Sequence, residues 1–236
     1  MPTYHPSFSE LLEYSAGSLN PAVALCVATH LHHCSKCREA AALMNQTGGE
    51  LLALAEPARI ASDSLQKVFA KIEDAENLQR IAGGDSTNPL SAEGRRKVVP
   101  SALSAYADHL PRPLEPVLHT NARAEWKKLS SCLSAMHLRV GQGEYEANFH
   151  RIRKGGKVLE HDHRDHEVTV VLYGSFSDES GTYQVGDYVE RRPGQKHTPT
   201  ATLDNDCLCL SVVRAPVKLT GPLNRLINPF IPHHPA

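Results

Sequence analysis

Apolar residues recur at helical spacing through roughly the first eighty positions, then switch to period-two alternation from about Glu125. In the first stretch, Ser7-Phe-Ser-Glu10 has the form of a capping box, in which serine and glutamate satisfy each other's exposed amides. It opens a helix carrying Leu11, Leu12 and Tyr14, with Gly17 as a natural stop. Asn20-Pro21 supplies an N-cap followed by proline in the first turn, and predicts a second helix through Val23, Leu25, Val27 and His30. Ser35 can cap a third helix through Ala40, Leu43 and Met44, predicted to end near Gly48-Gly49. A further helical pattern follows in Leu51, Leu52 and Leu54, and then in Leu65, Val68, Phe69 and Ile72.

The run Ala82-Gly-Gly-Asp-Ser-Thr-Asn-Pro-Leu-Ser91 reads as a linker by its glycine, serine, asparagine and proline content. Pro111-Arg-Pro-Leu-Glu-Pro116 reads as an extended entry into a new domain. Beyond it, Ala135–Val140, Tyr145–Ile152, Val168–Tyr173, Thr182–Val185 and Cys207–Val213 read as strands, punctuated by Gly155-Gly156, Gly174, Gly186-Asp187 and Pro193-Gly194. Many short strands without helices between them predict a sandwich or a closed barrel of the jelly-roll type. The expected fold is therefore α+β in two domains: a small helical bundle over 1–80, a linker over 81–118 and a β-barrel over 119–236. No solenoid repeat is present.

Composition changes this picture in two places. A net charge of -1 gives no global electrostatic case for nucleic acid or an anionic membrane, and Arg95-Arg96-Lys97 is too short to be more than a solvated face. The 14 histidines are the outlier, gathered as His30/His32/His33, His161/His163/His166 and His233/His234. No apolar run approaches the ~20 residues needed to span a bilayer, and Met-Pro-Thr-Tyr-His lacks the basic and apolar regions of a secretion signal. A cytoplasmic chain is expected, in which the six cysteines are reduced, metal-bound or redox-sensing rather than structurally paired.

Candidate chemistry concentrates in two constellations. In His30-Leu-His-His-Cys34-Ser-Lys-Cys37, two thiolates at chelating distance follow a histidine placed one helical turn back. That is most of a closed four-coordinate zinc site, and His5 is the nearest plausible fourth ligand. A small helical domain poor in aromatics has an obvious structural use for such a staple. His32 and His33 do not match the spacing and read as exposed polar residues, while Cys26 reads as a small buried hydrophobe. The second constellation runs Gly155, five residues, His161, one residue, His163, three residues, Glu167, six residues, Gly174, with His197 arriving after Pro193-Gly194. Three imidazoles and a carboxylate suit Zn, Fe, Mn or Ni. Cys207 and Cys209 fall on one face of a strand, as inert packing or as a redox-active thiol pair; Cys132 carries no argument.

The second constellation resembles the metal motifs of the cupin superfamily. The first motif is matched at every spacing; in the second, six rather than five residues separate Gly186 from Pro193, and the asparagine expected after the histidine is absent. The two constellations together resemble the ChrR family of zinc-binding anti-sigma factors. The likeness covers nearly the whole chain and rests on His5, Tyr14-Ser-Ala-Gly-Ser-Leu19, Val27-Ala-Thr-His-Leu31, Cys34-Ser-Lys-Cys-Arg38 and Gly48-Gly49 as well as the cupin motif.

This resemblance implies a cytoplasmic non-enzyme that binds an extracytoplasmic-function (ECF) sigma factor, in a 1:1 complex, and keeps it from RNA polymerase until an oxidative signal of the singlet-oxygen or reactive-oxygen type arrives. It implies zinc on His5, His30, Cys34 and Cys37, and zinc or another divalent ion on His161, His163, Glu167 and His197. Leu11, Leu12, Leu19, Val23 and Leu51/Leu52/Leu54 are the expected groove for sigma-factor helices. The rival reading is a cupin dioxygenase holding iron on the second set, with the helical part as accessory. A zinc-finger DNA binder is excluded, because no basic recognition helix follows the ligands.

Overall fold

The computed structural model describes residues 1–81, 99–141, 144–215 and 217–220. The Ala82–Ser91 linker, the Arg95-Arg96-Lys97 run and His233/His234 lie outside the described residues. Two compact units result, one of Met1–Gly48 with Val98–Ala236 and the other of Gly49–Lys97. These units do not follow the expected bounds 1–80, 81–118 and 119–236, because the first helices belong with the barrel.

Helix α1 spans Phe8–Ala16 and starts as the sequence predicts: Ser7 and Glu10 cap each other's amides, and Gly17 closes the helix at φ 70°. Its buried residue is Leu11. Helix α2 (Pro21–His33) begins on Asn20, whose side-chain oxygen accepts from the Ala22 amide. It buries Ala22, Val23, Cys26, Val27, Thr29 and His30. Helix α3 (Ser35–Ala53) follows after a break at Cys34, whose backbone turns extended at φ -114° and ψ 105°. Arg38 reaches back from α3 and donates to the Leu31 and His32 carbonyls at 2.6 and 3.1 Å, satisfying the open end of α2. The predicted stop at Gly48-Gly49 is not where α3 ends. Two helical glycines cost about 1 kcal/mol each relative to alanine, a penalty the hydrogen-bonded ladder absorbs until the approach of Pro57. In the second unit, α4 covers Ser64–Ile81.

The segment expected to be linker is folded where it is described. A 3-10 helix over Ser101–His109, a second over Arg112–Leu114 and helix α5 (Glu115–Thr120) bury Leu103, Leu114 and Leu118 completely. Pro113 and Pro116 occupy first-turn positions, where proline favours helix rather than extended chain. Trp126 donates to the Ala102 carbonyl at 2.7 Å, and Asn121 exchanges hydrogen bonds with the Arg139 backbone.

Eleven strands are described: β1 (Lys127–Lys128), β2 (Leu133–Leu138), β3 (Glu146–Ile152), β4 (His161–Asp162), β5 (Glu167–Tyr173), β6 (Ser175–Asp178), β7 (Gly181–Gln184), β8 (Tyr188–Arg191), β9 (Thr200–Ala201), β10 (Cys207–Val213) and β11 (Lys218–Leu219). They form an antiparallel six-stranded sheet in the order β1-β2-β3-β10-β5-β8, a three-stranded sheet β7-β6-β9 and a pair β11-β4. One face of the large sheet carries Met136, Leu138, Phe149, Val168, Val170, Leu172, Leu208, Leu210 and Val212 into a core shared with α1, α2 and the 99–126 segment. The other face carries Ile152, Val171, Val189, Cys207 and Cys209 against Phe176, Tyr183 and Ala201 inside the barrel. Both faces of β5 and β10 are thus covered, and α2 lies against β5, β8 and β10.

Candidate metal centres

The break between α2 and α3 builds the first centre. His30 sits one turn before the end of α2, while Cys34 and Cys37 flank the start of α3, so the three donors converge. His5 completes the set from the N-terminal arm, and all four ligand atoms lie within 4.8 Å of one another. His5 Nδ1 is 3.4 Å from His30 Nε2, 3.5 Å from Cys34 Sγ and 3.4 Å from Cys37 Sγ. A tetrahedral ion with nitrogens at 2.0–2.1 Å and sulfurs near 2.3 Å separates its nitrogen–nitrogen and nitrogen–sulfur pairs by about 3.3–3.6 Å. The cluster fits such an ion.

The surroundings prepare these side chains for coordination. His30 Nδ1–H donates to the Gly186 carbonyl at 2.6 Å, which leaves Nε2 unprotonated and aimed at the centre. Burial brings the His30 pKa down to about 4, so the ring is neutral near pH 7. Burial, reinforced by Cys34, pushes Cys37 up to about 12, so ion binding must displace its proton. The Cys37 amide donates to Cys34 Sγ at 3.5 Å at the N-terminus of α3.

The second centre lies in the barrel. His161 is held on β4 by paired backbone bonds with His197, and Glu167 opens β5. His197 Nε2 is 2.9 Å from His161 Nε2 and 3.0 Å from His163 Nε2, and His163 Nε2 is 3.0 Å from Glu167 Oε2. All four residues are buried. His161 Nδ1–H donates to the Leu159 carbonyl, and His197 Nδ1–H donates to Asp178 at 2.9 Å, so both rings present Nε2. Burial lowers His161 to about 4 and lowers His163 as well. Burial alone would raise Glu167, but His163, His197, His161 and the Ser211 hydroxyl at 2.7 Å bring it to about 2.

Residues that sequence reasoning missed hold these ligands in place. The Asp178 side chain is covered and anchors both His197 and Arg191; those two hydrogen bonds outweigh its burial and hold its carboxyl well below the usual range. In Gly186-Asp187, read only as a turn, the Gly186 carbonyl holds the His30 ring and the Asp187 carboxylate holds the Thr3 amide of the arm. No spacing rule links position 178 to 197 or position 30 to 186, so nothing short of the fold reveals these pairs. His33, expected to be exposed, is half-buried with its Cβ against Gly186. Cys26 is fully buried, as expected of a small hydrophobe, and burial raises its thiol pKa strongly. Cys207 and Cys209 are buried in the barrel core with sulfurs 3.5 Å apart.

A third group, Glu10, His166 and Glu190, also brings its donors within 4.8 Å. Its carboxylates are already engaged: Glu10 by the Ser7 cap and the Tyr188 hydroxyl, Glu190 by His166 and Arg192.

A domain profile described as the ChrR cupin-like domain matches residues 115–217. Over 227 residues the chain is 33% identical to the anti-sigma-E factor ChrR of Cereibacter sphaeroides, covering 96% of this chain and 97% of that protein. The chain belongs to the ChrR family. The crystal structure of Rhodobacter sphaeroides SigE in complex with the anti-sigma ChrR is similar, with a TM-score of 0.65 at 30% identity, covering 90% of this chain and 99% of the matched chain. For this ChrR-family chain, no helix among the described residues is long and apolar enough to cross a membrane.

Proposed function

We propose that this chain is a cytoplasmic anti-sigma factor that binds an ECF sigma factor in a 1:1 complex and withholds it from RNA polymerase. The observation that carries the reading lies in the second compact unit. On α4, Leu65, Val68, Phe69 and Ile72 follow the i, i+3, i+4, i+7 spacing of a single apolar stripe, and all four are exposed. Leu51, Leu52 and Leu54 at the end of α3 are exposed too. Apolar surface laid out in this way is the kind that helix-in-groove partners cover. The sigma-factor complex formed by the Rhodobacter sphaeroides relative supports a sigma factor as that partner. Within the expected groove, Leu11 and Val23 belong to the core and Leu19 packs on it, so the docking surface falls to the exposed residues of the second unit, Leu51, Leu52, Leu54 and the α4 stripe.

In this reading zinc occupies His5, His30, Cys34 and Cys37 and fixes the order of the arm, α2 and α3. The barrel centre takes zinc or another divalent ion and participates in sensing oxidative stress. Its three imidazoles and one carboxylate would hold zinc or iron alike. That donor set is the observation favouring the second reading, a metal-dependent dioxygenase with iron on the barrel residues. The test is co-expression with a candidate ECF sigma factor from the same organism. Co-purification that is lost on chelation, with zinc recovered from the complex, is the expected result. A chain that never retains a sigma factor, or that consumes oxygen with barrel-bound iron, overturns it.

A further inference from the structure

The arm that delivers His5 is fastened to the barrel rather than to the helices. The buried Asp187 carboxylate accepts from the Thr3 and Tyr4 amides at 2.5 and 3.1 Å, and the Tyr188 amide donates to the Tyr4 carbonyl at 3.1 Å. The other oxygen of Asp187 accepts from the Gln184 amide at 2.7 Å, which locks the β7–β8 turn. The neighbouring residue in that turn, Gly186, supplies the carbonyl that orients His30. Both imidazole ligands of the first centre therefore take their aim from one barrel hairpin.

The same hairpin reaches the second centre. The Tyr4 ring rests on the Tyr183 ring with centroids 4.7 Å apart. The Tyr183 hydroxyl donates to Asp178 at 3.1 Å and accepts from Arg191 at 2.6 Å. Arg191 also donates to Asp178 at 2.6 Å, and Asp178 holds His197 at 2.9 Å. We infer that Tyr183, Asp178, Arg191 and Asp187 form one frame that positions ligands of both centres, so that an ion in the barrel tightens metal binding at the Cys34/Cys37 centre. The inference rests on the reading that both clusters hold metal. Its physical basis is shared ordering: an ion on His197 fixes Asp178 and Tyr183, and with them the seat of Tyr4 one residue before His5. By reciprocity the first centre tightens the second equally, and loss of one ion loosens the other.

Cobalt(II) titration of the full chain tests this, because only the first centre has thiolates and therefore gives sulfur-to-metal charge-transfer absorbance. His161→Ala disables the barrel centre without touching the frame, and Tyr183→Phe removes the bridging hydroxyl while keeping the ring on Tyr4. Each is expected to weaken cobalt at the thiolate centre by about tenfold, a typical size for coupling between sites. The double variant should be no weaker than either single one, whereas unrelated structural damage would add. Asp187→Asn, which unseats the arm directly, should shift the charge-transfer band as well as the affinity. Thiolate-centre affinities within twofold of wild type in both His161→Ala and Tyr183→Phe overturn the coupling while leaving the metal reading intact. A wild-type chain with no thiolate–cobalt band overturns both.

Discussion

Replacing Leu65 and Phe69 together by alanine isolates the docking surface from the fold. The two side chains lie four residues apart on α4 and are 62% and 56% exposed. Burying a whole Leu or Phe side chain contributes about 1.5–3 kcal/mol. Somewhat more than half of that remains to be gained at each position, so covering both in a complex is worth roughly 2–3 kcal/mol. At 1.4 kcal/mol per decade, the double variant should bind the sigma factor roughly 30- to 150-fold more weakly. Neither side chain supports the core, so thermal unfolding of the free chain should change little. Isothermal titration of purified full-length protein against the sigma factor measures the first quantity, and calorimetric unfolding measures the second. An affinity within threefold of wild type would refute the assignment of this stripe as docking surface.

Three further outcomes follow from the geometry. Gly186→Ala places a Cβ 2.6 Å from that of His33 at φ +89°, so it should cost roughly 1–3 kcal/mol in denaturant unfolding and weaken metal at the His30 centre; an unchanged midpoint would contradict the close packing of α2 on the turn. Metal uptake at the first centre should release protons, because Cys37 stands at about 12 before coordination, whereas His30 at about 4 is already neutral. Apparent affinity there should therefore fall by at least about tenfold for each unit of decreasing pH between 8 and 6, and a pH-independent constant from chelator competition would contradict the protonated thiol. Asp178→Asn should lower metal affinity in the barrel by about 10–100-fold, the usual loss when the group orienting a histidine ligand is changed; metal analysis showing full retention under chelator challenge would contradict that role.

What the sequence could and could not announce follows from the range of the interactions. Ser7–Glu10, Asn20 before Pro21, and Gly17 act within one turn, so the starts of α1 and α2 and the end of α1 were legible. The strands at 133–138, 146–152, 167–173, 181–184 and 207–213 were legible within a residue or two, because turn residues bracket each. Strand β8 was not: Tyr188 and Val189 are apolar neighbours on opposite faces, each buried by a different layer. The close of α3 was misplaced because Gly48-Gly49 carries a local stop signal that the helix overrides. The packing of 99–126 was hidden for a similar reason, since its prolines serve both extended chain and first helical turns. In each set of four the donor atoms lie within 4.8 Å of one another. The groups that aim them, Gly186, Asp187, Asp178 and Ser211, meet their partners only through tertiary contact.

The central claim is that a metal ion on His5, His30, Cys34 and Cys37 holds the sigma-binding conformation. The affinity of the Cys34→Ala, Cys37→Ala double variant for the sigma factor, compared with wild type under the same conditions, tests it most directly. Loss of measurable binding together with loss of one equivalent of zinc is the predicted result; zinc loss with the sigma factor held as tightly as before would contradict it.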